Sequence, residues 1–334
     1  MNTRKILMPL SVMAAAAFSV GCAKDAETDT NKDAKDYFEA WMAQYYPGVQ
    51  ADANDIYLLE DIPGSGEAVT NQPYVYITYT VTDLEGNISS TTDAKISQRL
   101  GTYNKSYYYG PRVSRTSTSL TAGVEHLIDG MCIGGTRKAV IPFWMNTTSR
   151  YNTQEQYLKK ASSTNSVIYT VTIHDVIEDA VKWEIDSLET HLRRIYGAQP
   201  DSVAYGRYYY QINAPTEEVE FPMDTTIYIN YIGRLLNGQV FDTNIRDTAV
   251  VHNIYSSSST YTPVAVSWAK EASSLKMNSS SLITGFSNTL FNMQPFEKGI
   301  AYFISPLGYS ASGSGYLIPG YSPLEFEIEL VEKP

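Results

Sequence analysis

Residues 281–310 read SLITGFSNTLFNMQPFEKGIAYFISPLGYS, the most informative stretch of the chain. The first half predicts a short helix, because apolar side chains recur there at spacings of three and four. The residues on this apolar face are Leu282, Ile283, Phe286, Leu290 and Met293. Residues 299–305 (GIAYFIS) predict a strand that Pro306 and Gly308 end. A buried helix followed directly by an apolar strand is typical of small α+β domains that line a pocket.

Several segments in the C-terminal third of the chain resemble, in order, the FKBP-type peptidyl-prolyl cis/trans isomerases. They are YINYIG (228–233), NGQVFD (237–242), LITGF (282–286), ISPLGY (304–309), LIPG (317–320) and LEFEIEL (324–330). One such segment alone is a weak signal, whereas the set in the family's order is specific. The resemblance implies an α+β fold in which an antiparallel sheet wraps around a short helix.

The resemblance also implies a pocket that binds a proline ring. The residues expected to carry catalysis match positions of the family's pocket: Tyr231, Phe241, Asp242, Ile283, Phe286, Tyr309, Ile318 and Phe326. Three further residues are expected to contact substrate at the rim: Leu282, Val264 and Leu317. By the same resemblance, Phe286 is the floor, the Ile283 N–H binds a substrate carbonyl, Tyr309 donates its hydroxyl and Asp242 orders the polar edge.

Each of these residues also has a simpler interpretation. Phe286 and Phe326 lie on periodic elements, where an aromatic residue is commonly part of the core. Asp242 follows an apolar strand and could end it by closing an Asx-turn. Where the family usually carries a further aromatic residue, this chain offers Val264 or Val266.

The segment between Asp242 and Leu282 is about twice as long as in compact members of the family. It contains the polar, turn-rich stretch YSSSSTY at residues 255–261. Long insertions cost little stability, so the segment is either a passive loop or a wall that selects substrates.

The chain also contains an internal repeat. A displacement of 152 residues places Tyr57 on Tyr209, Tyr79 on Tyr231 and Gly86 on Gly238. Each copy begins with a candidate amphipathic helix, at residues 33–46 and 179–196, and each closes on an alternating strand, at 167–173 and 324–330. We therefore expect two tandem FKBP-like domains, residues 33–178 and 179–334, the second led by a helix over 179–198.

The N-terminal copy lacks most of the pocket. Ser89 and Ser90 stand where the second copy has Phe241 and Asp242, and Val124 replaces Phe286. The segment from Leu127 to Ile141 still resembles the family's helix, turn and strand. We expect a domain that is not catalytic and that serves in substrate capture, assembly or spacing.

The leader, residues 1–21, predicts a secretory signal peptide, with Arg4 and Lys5 before an apolar run too short to span a bilayer. Gly21-Cys22 resembles the lipobox of bacterial lipoproteins, which implies lipid on Cys22; the alternative is an ordinary signal peptide with an incidental cysteine. Residues 22–32 are polar and charged and predict a flexible tether. We expect an outer-membrane lipoprotein that faces either the periplasm or the cell surface.

Composition restricts the classes of partner. The net charge is −11, and an acidic chain without a basic cluster argues against nucleic-acid binding. The four His and two Cys show no zinc-ligand spacing, so no metal and no other cofactor is expected. The expected partners are proline-containing segments of exported proteins and, through the lipid, a membrane.

Two functions remain open at this point. The resemblance implies peptidyl-prolyl cis/trans isomerisation by the C-terminal domain during the folding of exported proteins. The alternative is a lipoprotein in which both domains only bind or assemble polypeptides. Asp242 and Tyr309 discriminate between them, because their replacement should lower the turnover of an isomerase and leave a pure binder nearly unchanged.

Overall fold

The computed structural model describes residues 30–161, 165–197, 202–215 and 221–334. It contains two antiparallel sheets, one of six strands and one of nine, and a short helix packs against each of them. This confirms the predicted α+β class with two tandem units. Cys22, the leader and all of the predicted tether before Thr30 lie outside the described residues. Within the described ranges, the helices are too short or too polar to cross a membrane.

The N-terminal unit begins with a helix and contains six strands. Its helices are α1 (Thr30–Tyr45), α2 (Ala94–Arg99), α3 (Thr116–Ser119), α4 (Ala122–Ile128) and α5 (Gln154–Lys160). Its strands are β1 (Tyr57–Ile62), β2 (Tyr74–Thr82), β3 (Ile88–Thr91), β4 (Arg112–Arg115), β5 (Thr136–Ile141) and β6 (Val167–Ile177).

The C-terminal unit has the same plan with three extra short strands. Its helices are α6 (Ala180–Tyr196), α7 (Arg246–Val251) and α8 (Thr284–Phe291). Its strands are β7 (Ser202–Ala204), β8 (Arg207–Asn213), β9 (Thr226–Leu235), β10 (Val240–Thr243), β11 (Val264–Ser267), β12 (Lys276–Met277), β13 (Ser280–Ser281), β14 (Lys298–Phe303) and β15 (Leu324–Val331).

The two sheets share strand order and, at their centre, register. The order β1-β5-β6-β2 corresponds to β8-β14-β15-β9, and β3 and β4 pair with β2 as β10 and β11 pair with β9. Ile77 opposes Arg112 as Ile229 opposes Val264, and Ser90 opposes Val81 as Asp242 opposes Gly233. The offset of 152 residues found in the sequence therefore relates paired strand residues of the two sheets as well as identical residues.

The leading helices dock on equivalent turns. On α1, the ring of Phe38 packs at 5.4 Å against Trp144, which lies in the 3₁₀ turn Phe143–Met145 directly after β5. On α6, the fully buried carboxylate of Glu184 accepts hydrogen bonds from the N–H and the hydroxyl of Ser305, in the 3₁₀ turn directly after β14. One contact is apolar and the other is polar, although the two turns occupy the same place in the fold.

Some predicted bounds were wrong. Leu282 and Ile283 precede α8, and Met293 follows it, because Ile283 has extended backbone angles (φ −64°, ψ 146°) as the N-cap. The strand predicted over residues 299–305 spans Lys298–Phe303, because Ser305–Leu307 forms a 3₁₀ turn. Both of these departures lie at element ends, where apolar spacing is a weak guide.

Candidate functional site

Four aromatic rings from the second sheet and α8 pack together in the core. Phe286 lies 5.0 Å from Phe326 and 6.0 Å from Tyr231, and both pairs are edge-to-face. Phe241 packs edge-to-face on Phe326 at 5.5 Å. Phe286 is 3% exposed and Phe326 is 4% exposed, so the cluster is part of the core. It lies where the resemblance implies the floor of a proline pocket. Such an arrangement offers a ring-shaped substrate an apolar, water-poor surface.

Two glycines make room for these rings. A Cβ on Gly233, within β9, would stand 2.6 Å from Phe241 and 2.9 Å from Phe326. A Cβ on Gly285, within α8, would collide with the ring of Phe303, which stacks on Phe326. Glycine in a strand or helix interior is unfavourable in itself, so close packing explains its presence here.

Asp242 and Tyr231 form the polar edge of the pocket. The Tyr231 hydroxyl donates a hydrogen bond of 2.9 Å to Oδ2 of Asp242. Surrounding protein atoms displace water and raise the pKa of Asp242, although part of the residue remains exposed, while the hydrogen bond from Tyr231 opposes that rise. Burial and the nearby carboxylate raise the pKa of Tyr231, which therefore stays a hydroxyl donor at neutral pH.

Tyr309 and Ile318 come from the loop between β14 and β15. Tyr309 is half-buried against the same core, and burial and the charge of Asp242 raise its pKa. Ile318 is 5% exposed and donates its N–H to the Ser314 carbonyl at 3.1 Å. At Gly320 a Cβ would collide with the carbonyl of Ala311, so the close approach of these two segments requires glycine here.

Ile283 presents a free donor. It lies directly before α8, and its N–H has no hydrogen-bond acceptor among the described residues. Its side chain and that of Leu282 are half-buried against the aromatic core. An unpaired N–H beside an apolar pocket can bind the carbonyl of a substrate.

The three rim residues differ in their positions. Leu282 and Val264 pack against the aromatic core, whereas Leu317 is half-buried and lies outside that set. Val264 begins β11, which pairs with β9 on one side and with β12 on the other. The long segment after Asp242 therefore adds the short strands β12 and β13 to the sheet before it returns to α8. The polar stretch within it is also ordered, since the rings of Tyr255 and Tyr261 stack at 5.2 Å.

Asn244 is a structural residue of the site that the sequence did not reveal. It is 5% exposed, its Oδ1 accepts the Tyr231 N–H at 2.8 Å, and its Nδ2 donates to the carbonyls of Ile229 and Thr262. Thr92 makes the corresponding contact with the Tyr79 N–H at 2.9 Å in the first copy. The repeat, followed slightly further along the chain past Asp242, would have found this pair.

The N-terminal unit also reaches the pocket of its neighbour. The Tyr108 N–H donates a hydrogen bond of 2.8 Å to the Tyr316 carbonyl, and the ring of Tyr107 stacks on that of Tyr316 at 4.5 Å. Tyr316 lies just before Leu317 and Ile318. A loop of the first unit therefore supports the lid of the second.

The corresponding place in the N-terminal unit lacks these groups. Ser90 occupies the position of Asp242, and Val124 on α4 occupies that of Phe286. Val81 stands where Gly233 makes room for two rings. The equivalent surface thus has neither the carboxylate nor the aromatic floor.

Comparison with known families agrees with this geometry. The sequence profile described as FKBP-type peptidyl-prolyl cis-trans isomerase matches residues 218–331. These residues belong to the FKBP family. The match includes Tyr231, Asp242, Phe286 and Tyr309, and it ends at Val331, the last residue of β15.

A curated relative and two solved structures are also similar. The macrophage infectivity potentiator of Trypanosoma cruzi is 28% identical over 136 residues, which cover 40% of this chain and 57% of that protein. The three FKBP domains of a wheat FKBP align with 85% of this chain and 98% of theirs, at 14% identity and a TM-score of 0.29. A peptidyl-prolyl isomerase of Pseudomonas syringae aligns with 47% of this chain and 97% of its own, at 22% identity and a TM-score of 0.31. The chain spans little more than half the length of the curated relative.

Proposed function

We propose that the C-terminal FKBP domain catalyses cis/trans isomerisation of Xaa-Pro bonds in polypeptides. The observation that carries this proposal is the 2.9 Å hydrogen bond from Tyr231 to Asp242 beside the Phe286 floor. It places a carboxylate and hydroxyl donors at one edge of an apolar pocket, with the unpaired Ile283 N–H at another.

The chemistry needs no nucleophile. Rotation about an Xaa-Pro bond is slow because partial double-bond character must be lost, at a barrier of roughly 18–20 kcal/mol. A site lowers this barrier when it binds the twisted amide more tightly than the planar one. In the twisted state the carbonyl oxygen carries less charge, so a water-poor surface opposes the twist less than water does.

Each residue then has a defined task. Phe286 and Phe326 hold the proline ring, and Ile318 covers it. The Ile283 N–H binds the carbonyl that follows the proline and fixes the chain on that side. Tyr309 donates its hydroxyl at the other edge. Asp242 accepts the hydrogen bond of the Tyr231 hydroxyl and so holds that side chain in one orientation.

The cellular setting is a further part of the proposal. Cys22 carries lipid and anchors the chain to the outer membrane, facing the periplasm or the cell surface, and the substrates are proline-containing segments of exported proteins. The support is the leader and the Gly21-Cys22 pair in the sequence. Incorporation of labelled palmitate into the parent chain, and its loss in Cys22→Ala, tests the anchor.

The activity is tested on the chain from Ala23 to Pro334, which keeps every described element. We expect acceleration of cis/trans exchange in an Ala-Leu-Pro-Phe peptide, lowered at least about tenfold in kcat/KM by Asp242→Ala and by Phe286→Leu. Val124→Ala, at the position equivalent to Phe286, is the matched control and should keep full activity. Equal loss in all three variants, or no acceleration by the folded parent, would reject the proposal.

A further inference from the structure

A cavity separate from the proline pocket lies between the two domains. It has a volume of about 730 Å³, within the range of ligand sites in proteins. Its walls come from β2, from β4 and the loop before it, and from Asp175 of β6 in the N-terminal domain. The other walls come from α6, from residues 235–237 and from residues 319–323, which follow the pocket lid.

The walls include four aromatic side chains, those of Tyr76, Tyr108, Trp183 and Tyr321. The rings of Tyr76 and Trp183 pack at 5.1 Å across the junction of the first sheet and α6. The indole N–H of Trp183 donates to Oδ2 of Asp175 at 2.7 Å, which fixes the ring. Tyr321 and Pro319 face them from the C-terminal domain. Rigid aromatic walls offer contact area at little cost in side-chain entropy.

Two side chains on these walls have buried N–H groups without acceptors. Nε of Arg112 has no partner among the described residues, although Nη2 of the same group donates to the Tyr108 carbonyl at 2.8 Å. Nε2 of His191 is likewise buried and unpartnered within the described ranges. Buried donors without acceptors cost free energy, which an incoming acceptor group would recover.

The tautomer of His191 follows from its neighbour. Nη2 of Arg194 lies 3.2 Å from Nδ1 of His191, and because a guanidinium can only donate, Nδ1 is the acceptor. The proton of the neutral ring is then on Nε2. Burial, and next the charge of Arg194, lower the pKa of His191, so the ring is neutral at pH 7.

The charged side chains that line the cavity indicate whether its ligand is charged or neutral. Arg112 and Arg194 line the cavity together with Asp175 and Asp186, so the ionised groups balance. A balanced site with unpaired donors suits uncharged acceptors, such as amide carbonyls, better than an anion. Pro319, which lines the cavity, directly follows the lid residue Ile318 in the sequence.

We infer that this interdomain cavity binds an extended polypeptide segment, whose main-chain carbonyls accept hydrogen bonds from Arg112 and His191 and whose apolar side chains pack on Tyr76, Trp183 and Tyr321. This binding does not require a proline and does not depend on the proposed isomerase activity.

The test uses the chain from Ala23 to Pro334 and a fluorescein-labelled, proline-free octapeptide of alternating Phe or Tyr and Ser or Thr. Fluorescence polarisation should show binding tighter than about 1 mM. We expect Arg112→Met and His191→Phe, which lie on different elements, each to weaken binding about tenfold. Arg115→Met, on the same strand as Arg112 but outside the cavity, should bind as the parent does.

A second readout reports on the cavity directly. Peptide binding should change the tryptophan fluorescence of the parent chain, and Trp183→Phe should remove most of that change. Phe286→Leu should bind the proline-free peptide normally, which separates this site from the proline pocket. The inference is overturned if the folded parent does not bind, if both cavity variants bind like the parent, or if Phe286→Leu abolishes binding.

Discussion

The hydroxyl of Tyr231 and the carboxylate of Asp242 are joined by a 2.9 Å hydrogen bond across the antiparallel pair β9 and β10. The bond forms at a register irregularity between Val240 and Asp242, a feature that commonly changes the direction of a strand side chain. Strand geometry therefore orients the carboxylate, and the tyrosine fixes it.

We expect Tyr231→Phe and Asp242→Asn to act as a unit. A hydrogen bond to a charged group contributes about 1.5–3 kcal/mol, so each variant should lower kcat/KM by at least about tenfold. The double variant should fall little further, because both changes remove the same bond. Steady-state kinetics of the four chains measures the coupling, with Tyr228→Phe on the same strand as control. Strictly additive losses would show that the bond does not position Asp242.

Gly233→Ala should displace the aromatic rings that pack on β9. The new Cβ would stand 2.6 Å from Phe241, so the ring must move. Overpacking of this kind costs roughly 1–3 kcal/mol of stability, and we expect a larger relative loss of isomerase activity because Phe326 moves as well. Thermal unfolding and kinetics measure both effects. Val81→Ala, at the equivalent position of the first domain, should reduce stability and leave activity unchanged; a fully active Gly233→Ala would contradict the packing argument.

Glu184→Gln should change how stability depends on pH. Burial raises the pKa of Glu184, opposed by hydrogen bonds from Ser305. A raised folded-state pKa means that the stabilising contribution is present below the ordinary value of 4.5 and is lost as pH rises through the folded-state pKa. Glutamine cannot ionise, so the stability of the variant relative to the parent should improve from pH 4 to pH 7.

Denaturant unfolding at several pH values provides the measurement for this carboxylate. Asp186→Asn, which removes an exposed partner of Lys182 on the same helix, serves as control and should show no such trend. A constant difference between Glu184→Gln and the parent across this range would mean that Glu184 does not titrate abnormally.

Tyr107→Ala should loosen the lid of the pocket. The ring stacks on Tyr316 at 4.5 Å, and such a contact is worth about 0.5–1.5 kcal/mol. Amide hydrogen exchange at Ile318 should then accelerate roughly fivefold. Tyr103→Ala, whose ring stacks on Tyr109 in the same loop, is the matched control. Unchanged exchange at Ile318 would mean that the N-terminal domain does not support the lid.

The sequence was a good guide where the position of a residue depends on local order along the chain. Phe286, Phe326 and Asp242 could be placed because they sit in segments that keep the family's order, and the central register followed from a repeat that needs no gaps. Helix ends were less predictable, since Ile283 has a helical spacing from Phe286 but caps the helix with extended backbone.

Contacts between distant segments could not be predicted in this way. Tyr108 meets Tyr316 only because two complete domains pack together, and no pattern in either segment indicates the other. The same holds for Glu184, which shares the spacing of the buried residues Leu188 and Leu192 on α6 but meets its partner Ser305 only in the folded chain. The fold of the long insertion was equally hidden, because Val264 begins a strand of only four residues.

The central claim is that the aromatic pocket catalyses, rather than merely binds. Two-dimensional NMR exchange spectroscopy on an Ala-Leu-Pro-Phe peptide, with a catalytic amount of the chain from Ala23 to Pro334, separates the two most directly. The account predicts exchange cross-peaks between the cis and trans forms with the parent and none with Phe286→Leu. Peptide signals that shift on binding to the folded parent, without any exchange between cis and trans, would contradict it.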